Sequence, residues 1–331
     1  MNSVMQSSKD CGFLFLTESC NLRCSHCYVS SGPDVGKHMP VEVAERALRF
    51  FAEQGIHDIR LTGGEPSIHP DFEQIIDMAL DQSFGVGIVT NGSKLLQKEW
   101  ATEYLPKLSR CWVSLYGTSA SDDHLVSKRP KRFYAELIET VGRFTQQGNW
   151  IGLSVLLSPG NTANISTVVE TAHAAGVRRL RFIPLQPDGR ACGSMPTWVD
   201  WPQELHEAVC VLHSHPLTAE FELLTINDPF DLGHRFEHGG ASCLLASRRM
   251  LSITPDGNIY PCCFTAYSEA SVLGSVFDDT IYRRFGQYPR SGFIPKTCRG
   301  LSAQFWPGVE KINITCPIGS FDPRVAAAPH A

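Results

Sequence analysis

Thr17-Glu-Ser-Cys-Asn-Leu-Arg-Cys-Ser-His-Cys-Tyr28 puts three thiols, Cys20, Cys24 and Cys27, on one short loop. Thiolates are the usual ligands of iron–sulfur clusters, and four of them close the coordination of a cubane. Three on one loop leave one iron of a [4Fe–4S] cluster open to bind something else. A cysteine trio next to His26 is also a donor set that zinc accepts.

On either side of this loop the chain alternates short β-rich runs with amphipathic helical patterns. Strands are expected at 12–16, 58–61, 85–89, 111–115, 151–156 and 180–183, and helices at 41–54, 71–82, 95–105, 134–147 and 164–175. Gly55, Gly148 and Gly176 each follow a helical pattern, where a left-handed C-terminal cap needs no Cβ. Repeated βα units in one sheet take right-handed crossovers, which curls the sheet and gathers the loops after its strand ends on one rim. The first of those loops carries the three cysteines. Six units rather than eight give an incomplete barrel; a doubly wound open sheet is the competing geometry.

Leu61-Thr-Gly-Gly-Glu-Pro66 ends the second expected strand. Gly63 and Gly64 let the backbone come close to a ligand, Glu65 supplies an acceptor for a cationic amine, and Pro66 closes the turn. Asn91, in Thr90-Asn-Gly92, and Ser114, in Ser114-Leu-Tyr-Gly117, end the next two strands, where small polar groups suit a ribose or a carboxylate and also suit plain turns. His124 reads as a surface-loop histidine, and the run 128–132, Lys-Arg-Pro-Lys-Arg, as a solvated loop.

Together these motifs resemble the radical S-adenosylmethionine (SAM) superfamily, whose signature is Cys-x-x-x-Cys-x-x-Cys with an aromatic residue before the last cysteine. His26 fills that aromatic place. The resemblance implies a partial (β/α)6 TIM-like barrel of α/β class and SAM bound to the open iron through its amino and carboxylate groups. Reductive cleavage to a 5'-deoxyadenosyl radical then takes a hydrogen atom from the substrate. The Gly-Gly-Glu-Pro segment matches the motif that holds the SAM amino group. Asn91 and Ser114 match places where relatives touch SAM.

Beyond Pro184 prolines and glycines break the rhythm, and cysteines return at 243, 262, 263, 298 and 316. Residues 250–261 read as a β-hairpin around Asp256-Gly257. This resembles the opening of the SPASM and twitch modules, which implies a smaller C-terminal α+β iron–sulfur domain; Leu273 to Val276 and a helix at 280–285 fit it. Cys243, Cys262, Cys298 and Cys316 suffice for one auxiliary [4Fe–4S] cluster, with Cys263 as the alternative to Cys262; zinc is the other reading of this module. The expected division is an N-terminal extension at 1–11, the barrel at 12–190, a linker and helical region at 191–240, the auxiliary-cluster module at 241–320 and a disordered tail at 321–331.

The chain has 331 residues, 43% hydrophobic and 19% charged, with a net charge of -5, a balance that argues for a folded globular protein and against a general nucleic-acid binder. No signal peptide or membrane span is legible, and twelve cysteines clustered by motif point to metal or redox chemistry in a reducing cytoplasm rather than to disulfides. Cys11, Cys111 and Cys210 read as buried small apolar residues. Cys192, in the turn Pro187-Asp-Gly-Arg-Ala-Cys192, is a candidate hydrogen-atom donor to a substrate radical, and Asp188 a candidate base.

The leading functional expectation is modification of a ribosomally made peptide by cross-linking, epimerisation or oxidation. A reductase such as flavodoxin or ferredoxin would supply electrons. With about ten residues before the first strand, a separate leader-peptide-binding protein would be needed, or the substrate is small. The alternatives are a dehydrogenase or epimerase of a sugar, aminocyclitol or nucleoside, a cofactor-biosynthetic enzyme, and an iron–sulfur electron-transfer or sensor protein. Glu65 and its glycines argue against the last, because a pure electron carrier need not hold an amino acid.

Overall fold

A computed structural model describes residues 11–185, 189–193, 201–226, 250–260, 263, 266, 267, 269, 272–280, 315, 316, 319 and 320. Strands β1 (Cys11–Thr17), β2 (Asp58–Gly63), β3 (Gly85–Thr90), β4 (Arg110–Leu115), β5 (Ile151–Leu157) and β6 (Arg179–Pro184) lie side by side in chain order, all parallel. One register row runs Leu14, Leu61, Ile88, Cys111, Ile151, and every member is at most 1% exposed. That row faces the helices, so the alternate residues of each strand face the opposite side, the interior of the curl.

The expected helices form as α1 (Val41–Glu53), α2 (Phe72–Asp81), α3 (Lys98–Tyr104), α5 (Arg132–Gln146) and α6 (Ile165–Ala174). Helix α1 shows why: Val43, Ala44, Ala47, Leu48, Phe50 and Phe51 recur at helical spacing and are all buried. The helix expected from residue 95 starts later, because a single 3-10 turn over Lys94–Leu96 ends at an extended Gln97 before α3 begins. Two further helices are α4 (Ala120–Ser127), capped by the Ser119 hydroxyl on the Asp122 amide, and α7 (Trp201–Ser214). His124 therefore stands on an exposed helix rather than a loop, its Nδ1 2.7 Å from the Arg129 carbonyl oxygen.

The sheet extends beyond the six expected strands at both edges. β7 (Leu223–Ile226) adds parallel to β6, from a region expected to be linker and helix. At the other edge β8 (Met250–Ile253) pairs parallel with β1, and β9 (Asn258–Tyr260) and β10 (Gly274–Ser275) follow antiparallel. The expected hairpin is present, with Gly257 at φ +81° and the Asp256 carboxylate accepting from the Asn258 amide at 3.3 Å. It is a continuation of the barrel sheet rather than a detached module. Leu251, Ile253, Ile259 and Val276 join the barrel core, since β1 would otherwise be an open edge.

Curvature shows at the rim. Cys24 after β1, Val126 in α4, Leu156 in β5, and Leu185 and Ala191 after β6 form one apolar cluster, which a flat sheet would keep strands apart. Cys111 is buried, as expected; Cys11 is half-buried, and Cys210 is exposed on α7 because it falls on that helix's outer face. β11 (Thr315–Cys316) pairs with β12 (Gly319–Ser320). Cys243, Cys262, Cys298, Asp188, residues 281–285 and the tail lie outside the described residues, and so does the side chain of Cys192.

Joining the hairpin to the barrel has a measurable consequence. Ile253→Ala removes a fully buried side chain and is expected to cost about 2–5 kcal/mol. Urea unfolding followed by far-ultraviolet circular dichroism should show one cooperative transition at lower midpoint; a separate early transition with the barrel unchanged would contradict the shared core.

Candidate functional site

The cysteine loop leaves the sheet at Thr17, whose hydroxyl donates to the Lys37 carbonyl at 3.0 Å and accepts from the Ser19 amide at 2.9 Å. The loop then closes on itself: the Cys20 amide donates to Gly32 O at 3.1 Å and the Cys27 amide to Cys24 O at 3.3 Å. Cys20 and Cys24 are each 6% exposed, and Cys27 is more open. Burial pushes the Cys20 thiol up to about 11 and the Cys24 thiol up to about 12. Such thiols ionise when a cation replaces their protons, and two donors already suit a thiolate at Cys20: the Leu22 amide at 3.4 Å and Asn91 Nδ2 at 3.9 Å. Among the described residues no three His, Cys, Asp or Glu side chains converge as ligands of a single ion. Three thiols spread along one loop, two of them buried, suit a cluster, in which each cysteine takes a different iron.

The Gly-Gly-Glu-Pro turn packs against this loop. The Gly64 amide donates to Thr17 O at 2.7 Å and the Glu65 amide to Ser19 O at 2.9 Å. A Cβ on Gly63 would stand 2.3 Å from Thr17 O, and one on Gly64 2.1 Å from Ser19 O. The close approach for which these residues must be glycine is thus to the cysteine loop itself. Glu65 is fully buried: Oε1 accepts from the Ser67 amide (3.2 Å), the Ser67 hydroxyl (2.6 Å) and the Thr90 hydroxyl (2.7 Å), and Oε2 from the Asn91 amide (2.6 Å). Burial raises its pKa, and these four bonds oppose the rise. A carboxylate has about four acceptor sites, so Glu65 is chiefly a clamp between the ends of β2 and β3. Pro66 starts the 3-10 turn that Glu65 caps.

Asn91 is similarly occupied, with Nδ2 on Asn21 Oδ1 at 2.7 Å and Oδ1 accepting from the Ser93 amide at 2.9 Å. It ties the β3 end to the cysteine loop. Ser114 differs: it is half-buried on the inner face of β4, and its hydroxyl has no partner among the described residues. His26 is half-buried, its ring centroid 4.9 Å from that of Tyr116, and its Nδ1 is enclosed with no hydrogen-bond partner among the described residues. Ser114 Oγ and His26 Nδ1 are therefore two rim groups without a hydrogen-bond partner among the described residues.

Two arginines missed by sequence reasoning hold the site together. Arg129, expected in a solvated loop, is 4% exposed and paired through Nε and a terminal nitrogen with both oxygens of buried Asp123, each at 2.6 Å. It also donates to Asn91 O at 2.7 Å and Ser114 O at 3.0 Å, and lies 4.8 Å over the Tyr116 ring. Arg190 reaches back from the turn after β6: Nε donates to Cys24 O at 2.8 Å, a terminal nitrogen to Ser31 O at 2.6 Å, and its amide to Cys27 O at 3.1 Å. Cys192 belongs to this same turn, Gly189–Gly193. The signal for Asp123 and Arg129 was faint, since nothing in an Asp-Asp-His-Leu helix start marks which carboxylate turns inward.

A partial α/β barrel with a three-cysteine loop sealed to a Gly-Gly-Glu turn on its rim defines an iron–sulfur protein built to present one open iron to a bound ligand. Comparison with known proteins agrees: the radical SAM superfamily matches residues 14–175 and the SPASM iron-sulfur cluster-binding domain residues 243–283, and the chain belongs to the radical SAM superfamily. With that come a [4Fe–4S] cluster and SAM, and an auxiliary iron–sulfur cluster for the SPASM part. It is 23% identical to the antilisterial bacteriocin subtilosin biosynthesis protein AlbA of Bacillus subtilis, over 80% of this chain and 57% of AlbA. It is 24% identical to the mycofactocin maturase MftC of Mycobacterium tuberculosis, over 95% of this chain and 84% of MftC. Its fold matches Streptococcus suis SuiB bound to S-adenosylmethionine, with TM-score 0.65 and 16% identity over 82% of this chain and 64% of SuiB.

Burial lowers the His26 pKa from an ordinary 6.5 to about 4, with Arg190 adding to the effect. The unfolded chain then binds the extra proton between those values, so stability rises with pH across that window and falls on acidification. In the cluster-free protein, His26→Phe should flatten the fall in urea midpoint between pH 6.5 and pH 4. Arg129→Lys, which loses the two-point contact with Asp123, should lower stability by about 3 kcal/mol and weaken SAM binding measured by equilibrium dialysis.

Proposed function

We propose that this protein is a radical SAM maturase that modifies a C–H bond of a ribosomally made peptide. The observation that carries the reading is the sealed rim: the loop of Cys20, Cys24 and Cys27 held against Gly63 to Glu65, with the Ser114 hydroxyl and the enclosed His26 Nδ1 without partners among the described residues. AlbA, MftC and the sporulation killing factor maturation protein SkfB of Bacillus subtilis, which is 27% identical over 54% of this chain, are by their names biosynthesis or maturation proteins, which favours a peptide over a sugar. SuiB with its bound precursor peptide SuiA matches the fold at TM-score 0.62.

Cys20, Cys24 and Cys27 would hold the cluster, leaving one iron for SAM. When bound, the pair supplies a radical able to take hydrogen from carbon. The chain's own contribution is positional. Glu65, Asn91 and Arg129 keep the ends of β2, β3 and β4 and the cysteine loop in one rigid rim, and Arg190 holds the loop from the far side. Ser114 Oγ and His26 would line the SAM pocket. Buried Leu156 and Leu185 keep water from the same corner. Cys243, Cys262 or Cys263, Cys298 and Cys316 would hold one auxiliary cluster that takes up an electron or binds substrate. Cys192 and Asp188, in the turn that Arg190 anchors, are the candidate hydrogen-atom donor and base. A cytoplasmic flavodoxin or ferredoxin reductase and a separate leader-binding protein complete the expected partners. No helix among the described residues is long and apolar enough to cross a membrane.

Anaerobic reconstitution tests this directly. Wild type should bind about eight irons per chain and the Cys20→Ala/Cys24→Ala/Cys27→Ala variant about four. With dithionite and SAM only wild type should form 5'-deoxyadenosine, faster with a short peptide encoded beside the gene. Zinc in place of iron, or cleavage surviving in the variant, would defeat the reading.

A further inference from the structure

The inner face of the sheet carries four arginines among the described residues, and three of them meet a carboxylate. Arg60 and Arg110 share Asp58, the latter at 3.2 Å, and Arg179 pairs with Glu222. Arg181, on β6, has none among the described residues. Its Nε donates to the Ser154 hydroxyl on β5, and its guanidinium lies 4.1 Å from the centre of the Trp112 ring on β4. Leu180 and Phe182 on either side of it are buried in the helix-covered core, so Arg181 points into the barrel. There it keeps some accessible surface, as do Ser114 and Ile183 on the same face.

That arrangement leaves a charge exposed to an interior space. A guanidinium has five N–H donors, and a buried one is costly unless an anion meets it. Here one donor is used by a neutral hydroxyl, the Trp112 face covers the flat side, and the other donors have no partner among the described residues. Burial lowers the pKa of Arg181 to about 9; Cys263 opposes the shift and Arg60 adds to it. Arg60 and Arg110 share the single carboxylate of Asp58, so positive charge is in excess on this face among the described residues, and the planar fork of Arg181 suits the two oxygens of a carboxylate. Ser114, Ser154 and Arg181 are successive register partners across β4, β5 and β6. Two strand spacings place Arg181 about 10 Å from Ser114 along that row.

We propose that Arg181, with Ser154 and the face of Trp112, is the anchor for a carboxylate of the substrate inside the barrel. The inference rests on the peptide reading above, and the carboxylate is either the peptide C-terminus or an acidic side chain held near the reacting corner.

Equilibrium dialysis of the reconstituted holoenzyme with SAM tests it. The probes are an N-acetyl dipeptide as free acid, the same dipeptide as its amide, N-acetylglutamic acid α-amide with only the side-chain carboxylate free, glucuronate and inorganic phosphate. Wild type should bind one of the two peptide carboxylates about tenfold more tightly than the amide, and whichever it prefers identifies the source. That preference should vanish in Arg181→Gln and fall partway in Arg181→Lys, which keeps the charge and guards against a folding failure. Equal binding of acid and amide by wild type, or a preference that survives in Arg181→Gln, would overturn the anchor. So would phosphate binding more tightly than any carboxylate. Loss of SAM binding in Arg181→Gln, or a changed auxiliary-cluster electron paramagnetic resonance signal with acid and amide still distinguished, would assign the arginine to a cofactor instead. Glucuronate bound through Arg181 with neither peptide acid bound would keep the anchor and overturn the peptide reading.

Discussion

One buried carboxylate organises the site. Glu65 accepts from both donors of Ser67, from the Thr90 hydroxyl and from the Asn91 amide, and its own amide donates to Ser19 beside the first cysteine. A carboxylate so enclosed is tolerable only if every acceptor position is met. The ends of β2 and β3 and the start of the cysteine loop therefore have little freedom to move separately. Gly63 and Gly64 are part of the same constraint, since any side chain there would strike the backbone at Thr17 and Ser19.

Around this clamp the electrostatics are built from arginines. Arg129 and Arg190 both draw the Cys24 pKa downward against the upward push of burial. Arg129 spends its fork on Asp123 and on the carbonyls of Asn91 and Ser114; Arg190 spends its own on the carbonyls of Cys24 and Ser31. Both bring their guanidinium groups close to a sulfur that must become a thiolate, in a setting where water screens little.

The hairpin at 250–260 changes how the auxiliary module relates to the barrel. By pairing β8 with β1, the strand that leads into the cysteine loop, it links the two cluster-bearing regions through one hydrogen-bonded sheet. Phe15 on the inner face of β1 meets the Tyr267 ring edge-on at 5.7 Å, so the contact continues inside the curl. An electron or a substrate held by the auxiliary module would thus sit in fixed relation to the rim.

The sequence by itself determined the elements and the chemistry that local pattern encodes. Six parallel strands and five helices follow from hydrophobic period, and the metal loop follows from cysteine spacing, because both are properties of neighbouring residues. The hairpin was legible for the same reason, through its Asp256-Gly257 turn. Its partner was not, because which edge a strand joins depends on what else lies exposed. Glu65 reads in sequence as an acceptor for a ligand amine; only the fold shows that Thr90 and Asn91 reach it first. Arg129 reads as a surface charge in a basic run, and only the packing of α4 against the β3 and β4 ends brings Asp123 to it and buries both. Arg181 looks like any strand arginine until its want of a carboxylate among the described residues is set beside the paired ones. Burial and pairing are facts about residues distant in the chain, and tertiary structure alone decides them.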